Sequence, residues 1–534
     1  MTIIQNRYAV SLFFFLTVFV FFWNIWLNDV WIPNEAFYAE AAREMIENKN
    51  PLDIYYNYEP RFNKPPMTYW LVALSFLVFG VSEFAVRLPI VLLALGSIYF
   101  TYRIGRELYS HNVGIASAAV MAFSFQFVIN SRYASPEIPL TFFFTATLYF
   151  FIAGYRRRKW KYILLSYIFL GLTVLTKGYP YIIVIGGIVF LYILIDRSFN
   201  LREFLRELNF LKVYIGIPLV LIIGFGWYLY MYLKFGEAFL DVTLNETLRR
   251  ALHKQSKPLD IFFYIPVILW GFLPYSLVFF YSLVNIKGKI KELAFPLSWF
   301  AVMFLIFTIA KGKIPVYMIQ AHVGMSIIVG YFLINHHPDK RILRYIYRGI
   351  FVFTGLLILV VNIFIIYKFR LDILLYLLAA APAIIALRYR DLIFFPFISF
   401  LVTFMIFTIS ILPKVEKYRP YDRIGMIIND NVPQRDIPLI VEKKFWHNLP
   451  FYAKRKVLRD YSIDQILKYQ QERPLLALVS EKGLKKIKDA EILWSGYLYR
   501  KGSESRFAIL LKYVLKAEKG DLSGFEKRYL IYKR

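Results

Sequence analysis

The acids, amides and cations able to do chemistry gather in a few polar stretches of an otherwise apolar chain. The longest spans 30–87: VWIPNEAFYAEAAREMIENKNPLDIYYNYEPRFNKPPMTYWLVALSFLVFGVSEFAVR. In it Asn34 and Glu35 open a helix-like segment after Pro33, with Glu40, Arg43 and Glu44 along one side. Asn63-Lys64-Pro65-Pro66 follows as an extended turn, because a residue before proline is kept out of the helical region. Glu137 comes directly after Pro136 at the head of a later apolar run, and Lys177 directly before Gly178. Arg250, Lys311, Lys313 and Tyr317 lie in two further polar stretches. A carboxylate can take or orient the proton of an attacking hydroxyl. Cations can hold a leaving phosphate. With an apolar groove for a lipid tail, such a set could transfer a group, a sugar among others, from a lipid phosphate. Glu35 and Glu137 could instead serve as base plus orienter, or hold a divalent metal through hard oxygen ligands, with Glu137 as the ligand.

Each residue type also has an ordinary use. A carboxylate at a helix start is favoured by the helix dipole. A lysine at a membrane edge can snorkel to headgroups. Many of the 41 tyrosines must sit in interfacial belts. His253, His322, His336 and His337 show no metal-ligand spacing.

The elements that must position these residues are membrane helices. The chain has 534 residues, 58% hydrophobic, with no cysteine and a net charge of +28. Thiolate metal sites, cysteine nucleophiles and disulfides are excluded, and nucleic acid is a poor partner for so apolar a chain. Hydropathy predicts about thirteen spans, near 8–27, 84–102, 112–130, 138–155, 162–176, 179–195, 212–233, 260–284, 293–310, 315–334, 345–367, 372–387 and 392–412. The first has no small-residue cleavage site after it and reads as a retained span. Basic clusters follow spans two, four, eight, ten and twelve: Arg103 and Arg106; Arg156 to Lys161; Lys287 to Lys291; Lys340 to Arg348; Arg388 and Arg390. All fall on one side, which the positive-inside rule makes the cytoplasm, together with the N-terminus. The loops 28–83, 131–137, 177–178, 234–258 and 311–315 and the whole of 414–534 then face outward, and they hold most of the candidate residues. The domain expectation is 1–413 for the membrane part and 414–534 for an outer domain. Beyond 414 the apolar runs shorten to strand length, at 438–441, 475–479 and 507–511, and alternate with polar helix-like segments at 462–472 and 481–488. That pattern reads as a small α/β domain.

Five stretches carry a family resemblance: PNEAFYAEAAREM, FNKPPMTYW followed by FGVSEFAVRLP, LTKG, NETLRR and KGKIPVYM. The tail segment LPFYAKRKV adds to it. In this order they resemble the GT-C membrane glycosyltransferases, in the superfamily of the aminoarabinose (lipid A) transferases and protein O-mannosyltransferases. The resemblance implies thirteen transmembrane helices, a periplasmic C-terminal α/β domain and a location in the bacterial inner membrane. It also implies an inverting transfer of a pentosyl or hexosyl group from a polyprenyl-phosphate donor such as undecaprenyl phosphate. The acceptor it points to is lipid A, with a protein or polysaccharide as alternatives. By position, Glu137 takes the family's acid, Lys64 and Lys177 its donor-phosphate lysines, Arg250 its loop arginine and Tyr317 its phosphate-side tyrosine; Lys311 is expected beside them. Asn63, Tyr69 and Glu246 are expected to position the acceptor. Two departures stand out. Asn34-Glu35 replaces Asp-Glu, and Asn63-Lys64-Pro65 replaces Glu-Lys-Pro. Asparagine cannot act as a carboxylate base, which leaves Glu35 or Glu137 for that task beside Asn34 and weakens the case for a metal. The competing reading is a non-enzymatic lipid-sugar transporter. An ion-coupled transporter would be expected to carry ionisable residues near the bilayer midplane, whereas here they gather in outer loops.

Overall fold

The computed structural model describes residues 7–246, 258–336, 338, 340–389 and 392–534. The first twelve helices are α1 (Arg7–Phe22), α2 (Asn34–Glu47), α3 (Met67–Phe79), α4 (Glu83–Leu108), α5 (His111–Ala122), α6 (Phe125–Asn130), α7 (Glu137–Arg157), α8 (Trp160–Lys177), α9 (Pro180–Asp196), α10 (Leu201–Leu211), α11 (Val213–Phe235) and α12 (Glu237–Leu244). Later helices are named by their residues.

Continuous apolar runs become helices because only a helix or closed barrel satisfies its backbone in hydrocarbon. Five are long and apolar enough to cross a bilayer: α4, α7, α11, Arg341–Phe369 and Phe395–Glu416. Shorter apolar helices accompany them. Their burial assigns places. The α7 span is 89% buried and lies at the centre, whereas α11 at 22% and Arg341–Phe369 at 33% leave most of their surface for lipid. Two expected spans are broken. The stretch 112–130 divides into α5 and α6, and 260–284 into Tyr264–Gly271 and Ser276–Val284. Pro274 has no N–H to continue its helix, and the two breaks meet where the Phe125 N–H donates to the Leu273 carbonyl at 2.9 Å. The polar loop expected over 28–83 contains an apolar helix, α3, which leaves Leu74, Leu77, Val78 and Phe79 exposed.

Helices α8 and α11 cross at small residues. A Cβ on Gly171 would lie 2.7 Å from Ile223 Cβ, and one on Gly224 2.9 Å from Val174 Cβ. That close approach brings Lys177, about one and two-thirds turns beyond Gly171, onto the side where α11 presents Trp227.

The C-terminal part forms a five-stranded sheet in the order β4-β3-β5-β7-β6, from β3 (Leu439–Glu442), β4 (Val457–Tyr461), β5 (Leu475–Ser480), β6 (Glu491–Tyr499) and β7 (Phe525–Lys533). β4, β3 and β5 are parallel; β7 is antiparallel to β5 and β6. A hairpin, β1 (Tyr55–Tyr56) with β2 (Glu59–Pro60), lies in the loop before α3. Strands at 438–441 and 475–479 are found, but 507–511 is not a strand. It opens the helix Phe507–Ala517, whose Leu510, Val514 and Ala517 are buried at helical spacing. Five apolar residues alone do not separate the two periods. Ser462 opens Ile463–Tyr469 with a full capping box to Gln465.

The loop after α1 clamps this sheet domain to the helices. Arg419, fully buried, donates to both Glu504 oxygens at 2.7 and 2.9 Å and to the Val30 carbonyl at 3.1 Å. Glu504 also accepts from the Ile32 N–H at 3.1 Å. The Asn57 side chain forms two bonds to the Val457 backbone, at 2.9 and 2.7 Å. Asp29 accepts from the Tyr421 and Asp422 N–H groups at 2.9 and 3.0 Å.

Candidate active site

Glu137 is the first residue of α7, where the unpaired N–H groups and the helix dipole favour a carboxylate. Lys177 is the last residue of α8, where the dipole favours a cation. The two side chains form an ion pair, with side-chain exposures of 11% and 10%. Gly178, at φ +111°, then turns the chain out of α8 toward Pro180 in a conformation that side chains oppose. The Lys177 ammonium also sits 5.0 Å from the centre of the Tyr317 ring, a cation–π contact. Tyr317 belongs to the short 3-10 helix Pro315–Met318. Gln320 fixes the start of α7 by donating to the Glu137 carbonyl at 3.2 Å and to Thr141 Oγ1 at 3.1 Å.

Lys64 arrives from the other direction, on the Asn63-Lys64-Pro65-Pro66 turn ahead of α3, and pairs with Glu246 at 2.9 Å. This pair is more open, with exposures of 25% and 30%. Asn63, Lys64, Lys177, Glu246 and Tyr317 all line one cavity of about 210 Å³. Its other walls are apolar: Trp227 and Tyr228 of α11, Ile183 and Val184 of α9, and Ile306 and Phe307 of Ala294–Ile309. Cations beside apolar walls suit a ligand with an anionic head and a hydrocarbon tail.

Other expected site residues are placed elsewhere. Glu35, expected as a base, does not line the cavity. It is fully buried, and Arg87 grips it with two bonds of 2.9 and 2.8 Å. The Trp31 and Ala134 N–H groups donate to the same oxygens, each at 2.9 Å. Arg87 in turn donates to the Ile25 and Asn28 carbonyls at 2.7 and 2.9 Å. Glu35 therefore ties the loop after α1 to α4 and to the segment just before Glu137. Tyr69 does not line the cavity; it is fully buried, 4.6 Å from Tyr38 ring to ring, and accepts from Arg61 at 3.3 Å. Asn34 is exposed and bonds the half-buried Tyr133. Burial, with the Glu35 carboxylate next, pushes the Tyr133 hydroxyl up and keeps it a donor. Lys311 is exposed and stands outside the cavity lining, which its neighbours Ala310 and Gly312 join. Lys313 caps Ala294–Ile309 through the Thr308 and Ala310 carbonyls at 2.7 and 2.6 Å. Arg250 lies outside the described residues.

A divalent metal at Glu137 does not fit the donor set. Its carboxylate faces an ammonium rather than a second carboxylate, and among the described residues no group of three His, Cys, Asp or Glu gathers to hold an ion.

Residues 63–235, which include Lys64, Glu137 and Lys177, match the family model of dolichyl-phosphate-mannose-protein mannosyltransferases. An uncharacterized protein of Aquifex aeolicus is 37% identical over 442 residues, 82% of this chain and 86% of its own length. An undecaprenyl phosphate-alpha-4-amino-4-deoxy-L-arabinose arabinosyl transferase of Proteus mirabilis is 27% identical over 351 residues, 63% of this chain and 62% of that protein. The crystal structure of ArnT from Cupriavidus metallidurans bound to undecaprenyl phosphate shares the fold, with a TM-score of 0.77 at 18% identity over 98% of this chain and 97% of that one. The chain belongs to the GT-C membrane glycosyltransferases.

In the cavity of this GT-C glycosyltransferase both lysines already hold carboxylates, Glu137 and Glu246. Sequence reasoning missed Arg87, Gln320 and the aromatic wall of Trp227 and Phe307. Arg87 left a signal, an arginine inside the otherwise apolar run of α4, which calls for a buried partner. Gln320 and the wall left none, since glutamine and aromatics occur throughout such helices.

Proposed function

We propose that the protein moves one sugar, with inversion, from a polyprenyl-phosphate donor to an acceptor at the outer face of the bacterial inner membrane, and that the acceptor is lipid A. The observation that carries this reading is the single cavity that joins Lys64, Lys177 and Tyr317 to apolar walls, with Glu137 paired to Lys177. The donor's phosphate lies between the two lysines, with Tyr317 beside Lys177; Arg250, outside the described residues, is kept as a further phosphate ligand. Its polyprenyl tail runs along Trp227, Ile306 and Phe307. The acceptor hydroxyl oxygen attacks the anomeric carbon as the bond from that carbon to the phosphate oxygen breaks. The phosphate leaves with the electron pair, and Glu137 takes the hydroxyl proton. Asn63 and Glu246 position the acceptor.

The ion pairs give this chemistry an order. An anionic phosphate competes with Glu137 for Lys177, because both are oxygen anions drawn to one ammonium. A carboxylate that loses its cation becomes a stronger base. Glu137 is therefore released from Lys177 toward the acceptor hydroxyl only once the donor is seated. In this reading the chain has thirteen spans, a cytoplasmic N-terminus and a periplasmic domain over 414–534, which places the site and the sheet domain on the same face. The reading is supported by the fold shared with ArnT and by the names of the relatives that use undecaprenyl-phosphate sugars. Mass spectrometry of lipid A from cells with and without this chain tests it. A sugar-sized mass present only with the intact chain, and lost with Glu137→Gln, is the expected result. Identical lipid A in all three strains would remove lipid A as the acceptor.

A further inference from the structure

The helices that carry the candidate site at one end carry a second, larger cavity at the other. α7 begins with Glu137 and ends with Tyr155, Arg156 and Arg157, and α9 begins with Pro180 at the site and ends with Asp196. Ala294–Ile309 runs the opposite way, with Phe295 at the second cavity and Phe307 at the first. α7 has 21 residues, a rise of about 30 Å, which matches the hydrocarbon core of a bilayer. In a chain that crosses a membrane the two cavities thus open at opposite faces.

The second cavity encloses about 790 Å³ and is lined mostly by polar groups. Arg156, Arg158, Arg197 and Lys291 converge on it from three separate segments of the chain. Two of these are already neutralised: Glu207 of α10 pairs with Arg158 and, at 2.8 Å, with Arg197. Asp196 accepts from the Tyr155 hydroxyl at 2.8 Å and lies 3.5 Å from Arg197. Glu292 lies beside Tyr331. Arg156 donates only to the Leu108 carbonyl, at 2.9 Å, and Lys291 only to Ser198 Oγ, at 3.1 Å; among the described residues neither meets a carboxylate. Both are exposed at the rim, while Tyr155 and Tyr192 form buried walls behind them.

Helix α10 sets the level of this rim. It turns Phe204, Glu207 and Leu211 inward and leaves Leu201 and Leu205 exposed at 67% and 55%, with Arg202 and Arg206 beside them. An amphipathic helix with exposed leucines and arginines lies in the plane of a membrane interface. Its Glu207 holds Arg158 and Arg197, so the cavity mouth sits at headgroup depth. Basic pockets between membrane helices at that depth take lipid phosphates.

We propose that this cavity binds a phosphate-bearing anion through Arg156 and Lys291, and that its occupant is the headgroup of an anionic phospholipid in the leaflet opposite the candidate active site. The full chain, purified in a neutral detergent, is heated with phosphatidylglycerol, phosphatidylcholine, glycerol 3-phosphate or inorganic phosphate. Phosphatidylglycerol should raise the melting midpoint by about 3 °C or more, and the other three should not. The rise should disappear in Arg156→Gln/Lys291→Gln and persist in the charge-keeping Arg156→Lys and Lys291→Arg variants, and in Lys485→Gln on the far sheet domain. An equal rise in the double variant overturns the site. A rise with glycerol 3-phosphate or inorganic phosphate assigns the cavity to a soluble phosphate and overturns the lipid, and an equal rise with phosphatidylcholine overturns recognition of charge. None of these outcomes depends on transferase activity.

Discussion

At the residue scale, Glu35 and Glu137 look alike in sequence. Each follows a proline region, each begins a helix, and each sits on the expected outer side. Their partners separate them. Glu35 is closed off by Arg87, which lies 52 residues away, so nothing in the sequence around Glu35 shows the pairing. Glu137 pairs with Lys177, which lines the cavity, although Glu137 itself is not among the lining residues. The two acids should therefore fail differently. Glu137→Gln keeps shape and removes the proton acceptor, so turnover should fall at least about a hundredfold, with the melting midpoint little changed. Glu35→Gln leaves the fully buried Arg87 without its counter-charge, which costs about 3–5 kcal/mol. It should show as a large fall in melting midpoint and in yield of folded protein. Thermal unfolding of both variants, with single-turnover kinetics on Glu137→Gln, checks the pair. A normal midpoint for Glu35→Gln would mean that Arg87 finds other partners.

At the scale of elements, the loop over 28–83 and its grip on the sheet domain decide how the site is framed. The sequence showed the loop's length and its polar content. It did not show that α3 would form inside it, because MTYWLVALSFLVF is too short to register as a span and too apolar to read as loop. Nor did it show the clamp, whose bonds join residues separated by about 390 positions. The capping box at Ser462 was within reach, since it is encoded within four residues; the helix at Phe507–Ala517 was not, until its period could be followed past 511. The clamp carries a pH dependence. Burial, with the Glu416 carboxylate beside it, pushes the Asp29 carboxyl up to about 8 from an ordinary value of 3.8. Between these values the folded chain holds a proton that the unfolded chain has released. The contribution of Asp29 to stability is thus full below about pH 4 and is lost as pH rises to about 8. Asp29→Asn mimics the protonated form. Melting midpoints from pH 5 to 9 should fall for the native chain and fall less for Asp29→Asn. Parallel curves would show that Asp29 does not titrate there.

At the scale of the whole molecule, the helical membrane character was legible because hydropathy acts over twenty residues at a time. The central burial of α7 and the broken helices at Phe125 and Pro274 were not, because they depend on which helix packs where. The proposed orientation has a direct check. Lys485 is 75% exposed on the sheet domain, and the chain has no cysteine, so Lys485→Cys should react with a membrane-impermeant maleimide from the periplasmic side. Labelling only after the inner membrane is opened would invert the topology. The central claim is that Lys64 and Lys177 hold a donor phosphate that must part Lys177 from Glu137. The measurement is transfer rate against donor concentration for Lys64→Ala, Lys177→Ala, the double variant and Lys159→Ala, in the basic cluster at the far end of α7. Removing a cation from a desolvated phosphate site costs about 2–5 kcal/mol, whereas an exposed one costs little. Lys177 is the more buried of the two. The account predicts a large loss for Lys177→Ala, a smaller but clear loss for Lys64→Ala, a double variant that falls short of the sum because both hold one group, and native rates for Lys159→Ala. If Lys64→Ala and Lys177→Ala instead follow Lys159→Ala at every donor concentration, the donor is not bound in this cavity.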